Sequence, residues 1–135
     1  MRAFADPDYF LDEASIRAAY QPPHEFNVIH IPSALKADFW ILRPVAFERE
    51  MFHRRVRDTW FGQNIWLSTA EDVILHKLYW NRITPSDRQM GDVAGVAQVQ
   101  RGKLDEPYLR YWAQELGVLQ ELETALSGAL RPKNT

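Results

Sequence analysis

The sequence changes from strand-like to helix-like patterning near Ser68, and this change constrains the fold more than any other feature. Before Ser68, β-branched and aromatic residues occur in short runs separated by Pro, Gly and Asn. After it, apolar residues recur every three or four positions, as in amphipathic helices. One switch of this kind predicts an α+β fold, with a small mixed sheet and hairpins in the first half packed by a helical second half.

The first half, residues 1–68, is predicted to form mainly strands. A short helix over 12–20 starts at Asp12, the predicted N-cap. A hairpin follows around 32–35, and its second strand places Lys36, Asp38 and Trp40 on one face. A charged helix over 46–55 then leads to a second hairpin, whose strands 56–61 and 65–67 flank a turn that contains Gly62.

The second half is predicted to be helical over 69–131, with a polar tail over 132–135, and the whole chain 1–135 to be one domain. Ser68 and Glu71 have the spacing of a capping box. Further helices are expected over 70–82, 87–100, from the cap Asp105 to Gly117, and up to Leu130. The predicted core residues are Leu78, Trp80, Val93, Leu109, Trp112 and Leu122.

The composition excludes several classes of protein. Sixteen Lys and Arg against eighteen Asp and Glu give a net charge of -2, so no global field attracts nucleic acid or an acidic membrane. The absence of Cys excludes disulfides and thiolate chemistry, and fits a reducing compartment. No apolar run is long enough to span a bilayer. These features predict a cytoplasmic protein without a membrane segment.

Three charged residues in apolar or helical segments are candidates for a catalytic or binding site. Asp38 lies within an apolar strand, where it either binds a cation, faces solvent or pairs with Lys36. Lys77 falls within the apolar stripe of its helix, where its stem otherwise runs along the helix edge. Asp92 follows Arg88 by one turn, which is typical of a surface ion pair. No nucleophile elbow, phosphate loop or metal-binding His spacing accompanies them.

Four segments carry a resemblance to a known family: residues 26–39, 68–78, 86–93 and 104–118. They resemble bacterial nucleotidyltransferase-like proteins of the DNA polymerase β-type superfamily, and are similar to the toxin component of AbiE-type toxin-antitoxin systems. The resemblance covers about residues 9 to 127. It implies that Asp38 is the third carboxylate of a metal-binding set, that Lys77 lies near nucleotide phosphates, and that Asp92 is the acidic residue of the fourth motif.

The family's other two carboxylates have no match in this sequence. In the family, a Gly-Ser turn precedes an Asp-x-Asp strand whose carboxylates bind Mg²⁺, but here no Gly occurs before Gly62. Asp6 and Asp8 have the Asp-x-Asp spacing, yet Pro7 between them favours a turn. We therefore expect a truncated nucleotidyltransferase-like fold with an incomplete metal site at Asp38. Mg²⁺ and NTP would bind only if a missing segment completed it.

Two functions remain open from the sequence. The first is a catalytically incomplete nucleotidyltransferase-like domain. The second is a non-catalytic module that binds nucleic acid or a protein partner through a basic cluster, consisting of Arg49, His53, Arg54, Arg55 and Arg57, although such charge runs are often solvated helix faces.

The sequence also predicts that the chain self-associates. If the first strand–helix unit of the parent fold is missing, a sheet edge and an apolar helix face need another cover. A symmetric homodimer supplies one, and a separate partner protein is the alternative. The chain is rich in aromatic residues, which suit an interface as well as a core. Trp60 and Trp66, in the second hairpin, are the ones predicted to lie at the interface.

Overall fold

The computed structural model describes Phe4 and residues 6–129, and the chain divides into two compact units, Met1–Arg49 and Glu50–Thr135. Each unit has its own secondary structure. Leu130 and the predicted tail over 132–135 lie outside the described residues. That the two units form one domain stays a prediction.

The first unit contains a three-stranded antiparallel sheet and a short helix. The elements are β1 (Tyr9–Phe10), α1 (Glu13–Ala18), β2 (Glu25–His30) and β3 (Leu35–Trp40), and β2 lies in the middle of the sheet. The Asp12 side chain accepts hydrogen bonds from the first backbone amides of α1, as the sequence predicted. The β2–β3 pair confirms the first predicted hairpin.

The two faces of this sheet differ in chemistry. Phe26 lies opposite Phe39, and their rings stack with centroids 5.1 Å apart. Neighbouring positions along a strand point to opposite faces. Lys36, Asp38 and Trp40 therefore share the other face, in agreement with the prediction.

A helix and a second hairpin follow. Helix α2 (Ala46–Arg54) crosses the boundary between the units, and its buried Glu48 accepts hydrogen bonds from the backbone and guanidinium of Arg43. Strands β4 (Val56–Trp60) and β5 (Gln63–Leu67) then form a separate two-stranded sheet. The turn is shorter than predicted, because Phe61 and Gly62 alone reverse the chain, with φ of 46° and 72°.

Up to residue 129, the second unit continues with four helices: α3 (Ala70–Ile83), α4 (Asp87–Val99), α5 (Glu106–Leu116) and α6 (Leu119–Leu126). Helix α3 contacts the other three, and α6 also packs on α4 and α5. The fully buried side chains at the centre are Ile74, Leu75, Leu78, Val93, Leu109, Val118 and Leu122. All the predicted core residues are buried except Trp112, which is half-buried.

The start of α3 differs from the prediction by one residue. Thr69, and not Ser68, is the N-cap, because its hydroxyl accepts a hydrogen bond from the Asp72 backbone amide at 3.2 Å. The acidic partner of the cap is consequently Asp72, to which the same hydroxyl donates at 2.8 Å. Glu71 is released from the capping role and accepts a hydrogen bond from the Asp105 backbone amide.

The predicted α+β class, with strands in the first half and helices in the second, is confirmed. The predicted single mixed sheet is corrected to two antiparallel sheets within the described part of the chain. Every pair of neighbouring strands in these sheets is antiparallel, including β1 and β2, which are joined through α1. Among the described helices, none has the length and apolar character needed to cross a membrane.

Candidate functional site

Asp38 lies on an exposed face of the first sheet and is paired with a lysine. Its Oδ1 is 2.9 Å from Lys36 Nζ, and its side chain is 40% exposed. Of the alternatives that the sequence left open, the structure shows the ion pair with Lys36. An exposed pair of this kind contributes at most about 1 kcal/mol to stability.

Glu25 adds a second carboxylate to the surroundings of Asp38. The pKa of Glu25 is raised, first by partial burial and then by repulsion from Asp38, while Lys36 opposes the shift. The two carboxylates therefore repel each other, and Lys36 is their counter-charge.

The donor set around Asp38 does not fit a two-metal centre. Over Phe4 and residues 6–129, no three His, Asp or Glu side chains lie close enough together to hold one metal ion. Asp6 does not supply the missing carboxylate, because its Oδ1 accepts a hydrogen bond from the Asp8 backbone amide within a turn. The residues present therefore do not match the Mg²⁺ ligand set that the resemblance implies.

Lys77 and Asp92, which the resemblance singles out, are brought together between α3 and α4. Lys77 Nζ lies 2.8 Å from Asp92 Oδ2 and 3.2 Å from Gln89 Oε1. Both ends of the ion pair are about one-third exposed. Asp92 thus pairs across the helix interface instead of along its own helix with Arg88, and the contact holds α3 against α4.

We expect the Lys77–Asp92 pair to show a measurable coupling in stability. A double-mutant cycle with Lys77→Met and Asp92→Asn should give a coupling energy of about 0.5 to 1 kcal/mol, because the pair is partly shielded from solvent. Urea unfolding of the four proteins measures it. The more exposed Lys36–Asp38 pair is the matched control, and its coupling should be smaller. Equal couplings, or none for Lys77 and Asp92, would contradict this assignment.

The predicted basic cluster does not form one free positive surface. Arg54 Nε lies 3.4 Å from Asp72 Oδ2, and its guanidinium stacks 3.7 Å from the centre of the Tyr108 ring. Arg55 lies over the ring of Phe52 and donates to the Phe52 carbonyl.

The remaining members of the cluster, Arg49, His53 and Arg57, are exposed. Only these three keep the solvent-facing position that a nucleic-acid contact requires.

Asp72 is the buried charge around which these contacts are organised, and the sequence analysis did not identify its role. It is 0% exposed, and it accepts hydrogen bonds from the Thr69 hydroxyl at 2.8 Å and the Tyr108 hydroxyl at 2.6 Å. Burial, followed by the hydrogen bond to Asp72, raises the pKa of Tyr108, which therefore stays a protonated donor at neutral pH. With Arg54, these groups join the end of α2 to the starts of α3 and α5.

The signal for this cluster was only partly present in the sequence. Thr69 and Asp72 have the spacing of a capping pair, one residue later than the pair that was predicted. Tyr108 lies 36 residues from Asp72, and no local pattern links the two.

The β4–β5 hairpin presents large apolar side chains to solvent. Trp60, Phe61 and Trp66 are 64%, 87% and 59% exposed. Val56 and Leu67, which lie opposite each other at the base of the hairpin, are also exposed. Because neighbouring positions of a strand point to opposite faces, Val56, Trp60 and Leu67 lie on one face of the hairpin and Trp66 lies on the other. Exposed large apolar side chains on both faces of one hairpin are a feature of interaction sites.

Comparisons with family models, with curated proteins and with solved structures found no match to this chain. The nucleotidyltransferase resemblance therefore rests on the sequence segments alone.

Proposed function

We propose that this chain is a non-catalytic assembly module that binds protein and performs no nucleotidyl transfer by itself. The observation that carries the proposal is the exposure of Trp60, Phe61 and Trp66 on one hairpin. Aromatic residues are enriched in protein interfaces, and their exposure in a free chain costs hydration free energy. A partner that covers them offsets that cost.

The contacts of the three residues singled out by the resemblance also favour this function. Asp38 is paired with Lys36, and Lys77 is paired with Asp92. A nucleotide phosphate at Lys77 would meet an ammonium group whose charge is already paired with Asp92. The module is thus a nucleotidyltransferase-like chain in which these residues serve structural pairs, with a role related to toxin–antitoxin systems as one setting for its assembly.

The nucleic-acid alternative has less support. Arg54 and Arg55 make internal contacts with an acidic group and with aromatic rings. The overall charge of -2 adds no attraction for a polyanion. Among the partners, we favour a second copy of the chain, in a symmetric dimer, over a separate protein. The cysteine-free composition suits a module that works in the cytoplasm.

Incubation of the purified chain with labelled NTPs and Mg²⁺ or Mn²⁺ is expected to give no incorporation. The physical reason is that one lysine-paired carboxylate cannot hold the two metal ions of nucleotidyl transfer. Asp38→Ala is the control, and it should behave like the wild-type chain. Incorporation that disappears in Asp38→Ala would overturn the proposal. Activity that appears only on mixing with another chain, and that depends on Asp38, would instead support a completed enzyme.

A further inference from the structure

The outer edge of β5 is the feature of the hairpin that points to a particular partner. Phe61 and Gly62 form a two-residue turn with positive φ, and the pair that flanks it is Trp60 and Gln63. The flanking pair of such a turn is expected to be hydrogen-bonded. In an antiparallel pair, hydrogen-bonded and non-hydrogen-bonded positions alternate. The next pair, Thr59 and Asn64, is therefore non-hydrogen-bonded, and the Thr59 amide accordingly donates to the Asp58 side chain at 2.7 Å.

The same alternation leaves the backbone amides and carbonyls of Asn64 and Trp66 directed away from β4. Within the described part of the chain, β5 has β4 as its only strand neighbour. Asn64 and Trp66 are both exposed. Edge strands are usually protected by charged residues or proline, and the β5 sequence Gln-Asn-Ile-Trp-Leu contains neither. This edge is open for pairing with another strand.

A second copy of β5 is the occupant that fits this edge. A two-fold axis at Ile65 places Ile65 opposite its own copy, and Asn64 opposite Trp66 of the other chain. Each Asn64–Trp66 pair then exchanges two backbone hydrogen bonds. No like charges meet, because β5 is uncharged. The corresponding pairing of two β4 strands would set Asp58 against Asp58, which is unfavourable.

The tip of the hairpin supports the same arrangement. Phe61 has φ of 46° and is 87% exposed. Asn and Gly are the residues that such a turn favours. The Phe61 ring contacts Trp60, with centroids 5.0 Å apart, and most of its surface is still left in solvent. In the two-fold register, Gln63 lies opposite Leu67 of the other copy, which brings each Phe61 beside the segment that follows β5 in its partner.

The exposed aromatic area indicates the size of the interface. At about 200 Å² for each aromatic side chain, Phe61 and Trp66 expose roughly 300 Å² per copy. Stable interfaces cover about 800 Å² per partner. The aliphatic side chains and paired backbone of β5 add to the aromatic part. We expect an interface below the standard size, of the weak and reversible kind, with a Kd in the micromolar range.

We propose that two copies of this chain join edge to edge through β5, forming a four-stranded antiparallel sheet in the order β4–β5–β5–β4. This inference rests on the proposed assembly function and names its surface and its partner. It adds a specific register, with Ile65 at the two-fold axis.

The first test uses proline to remove a backbone N–H group that points away from the hairpin, first on the β5 edge and then on the β4 edge. Asn64→Pro should raise the dimer Kd by about 30-fold in sedimentation equilibrium, because two backbone hydrogen bonds are lost per dimer. Thr59→Pro, on the β4 edge of the same hairpin, is the matched control and should keep the wild-type Kd. Circular dichroism of both variants verifies that they are folded. A wild-type Kd for Asn64→Pro in a folded protein overturns the β5 edge.

The second test does not depend on a proline being tolerated. Ile65→Lys and Ile65→Glu should each be monomeric alone, since like charges meet at the axis, and should form a mixed dimer when combined. Native mass spectrometry of each variant alone and of the two mixed separates monomer from dimer, and a dimer that forms only on mixing is the mixed dimer. Homodimers of both variants would show that assembly uses another surface, which refutes this inference but leaves the assembly function standing. Nucleotide incorporation by the wild-type chain would refute the assembly function independently.

Discussion

Asp72→Ala is expected to lower the free energy of unfolding by about 3 to 5 kcal/mol. The substitution leaves the Tyr108 hydroxyl without its acceptor and removes the nearest counter-charge of Arg54, whose Nε is buried. Breaking a buried ionic network by deleting one partner has this magnitude. Urea denaturation followed by tryptophan fluorescence measures the change.

Two further variants separate charge from general disruption at Asp72. Asp72→Asn keeps an acceptor for Tyr108 but removes the nearer of the two carboxylates beside Arg54, with Glu71 remaining at 3.7 Å. We expect an intermediate loss of about 2 kcal/mol. Asp87→Ala, at the exposed first turn of α4, is the matched control and should cost less than about 1 kcal/mol. An unfolding midpoint of Asp72→Ala equal to that of the wild-type chain would show that the network contributes nothing.

Leu109→Ala is expected to cost about 2 to 5 kcal/mol, because it leaves a cavity among the helices of the second unit. Leu109 is 0% exposed, and Leu78→Ala, on α3, should have a loss in the same range. Val99→Ala is the control within this unit, since Val99 is 75% exposed and its truncation should change stability by less than about 0.5 kcal/mol. Similar unfolding midpoints for Leu109→Ala and Val99→Ala would contradict the helix registers.

Local patterns were sufficient to predict most elements of this fold. Asp12, Asp105 and Gly117 mark helix ends by interactions within a few residues, and each does so in the structure. The apolar spacing likewise identified Leu78 and Leu109 as core residues. Signals of this kind depend only on neighbours along the chain, so they can be read from one sequence.

The predictions that were wrong concern details for which a local sequence pattern allows more than one answer. Ser68 and Thr69 are both good caps, and the spacing to an acidic residue fits either, so the choice depends on where Asp72 becomes buried. The hairpin turn was placed too late because Phe61 is an unusual residue for a left-handed position.

The candidate site was less predictable than the fold. Sequence reasoning selected Lys77 and Asp92 for nucleotide chemistry but not their contact, which joins residues 15 positions apart. It grouped Arg54 with the other basic residues because they are adjacent in sequence. The buried Asp72 that engages Arg54 is brought there only by the packing of α3. Long-range pairs of this kind are set by tertiary structure and have no periodicity.

The exposed hairpin and the paired charged residues support the same proposed function. The charged residues that resemble catalytic groups are engaged in pairs, while the apolar residues of β4 and β5 are left in solvent. A chain built in this way is suited to binding another protein surface. Self-association through the uncharged β5 edge is the specific form of assembly that we propose.

Sedimentation equilibrium of the wild-type chain tests this account most directly. Between about 1 μM and about 100 μM, the weight-average mass should rise from that of one chain towards that of two, because a micromolar Kd falls within this range. A mass equal to one chain at every concentration would contradict self-association and, with it, the assembly through β5.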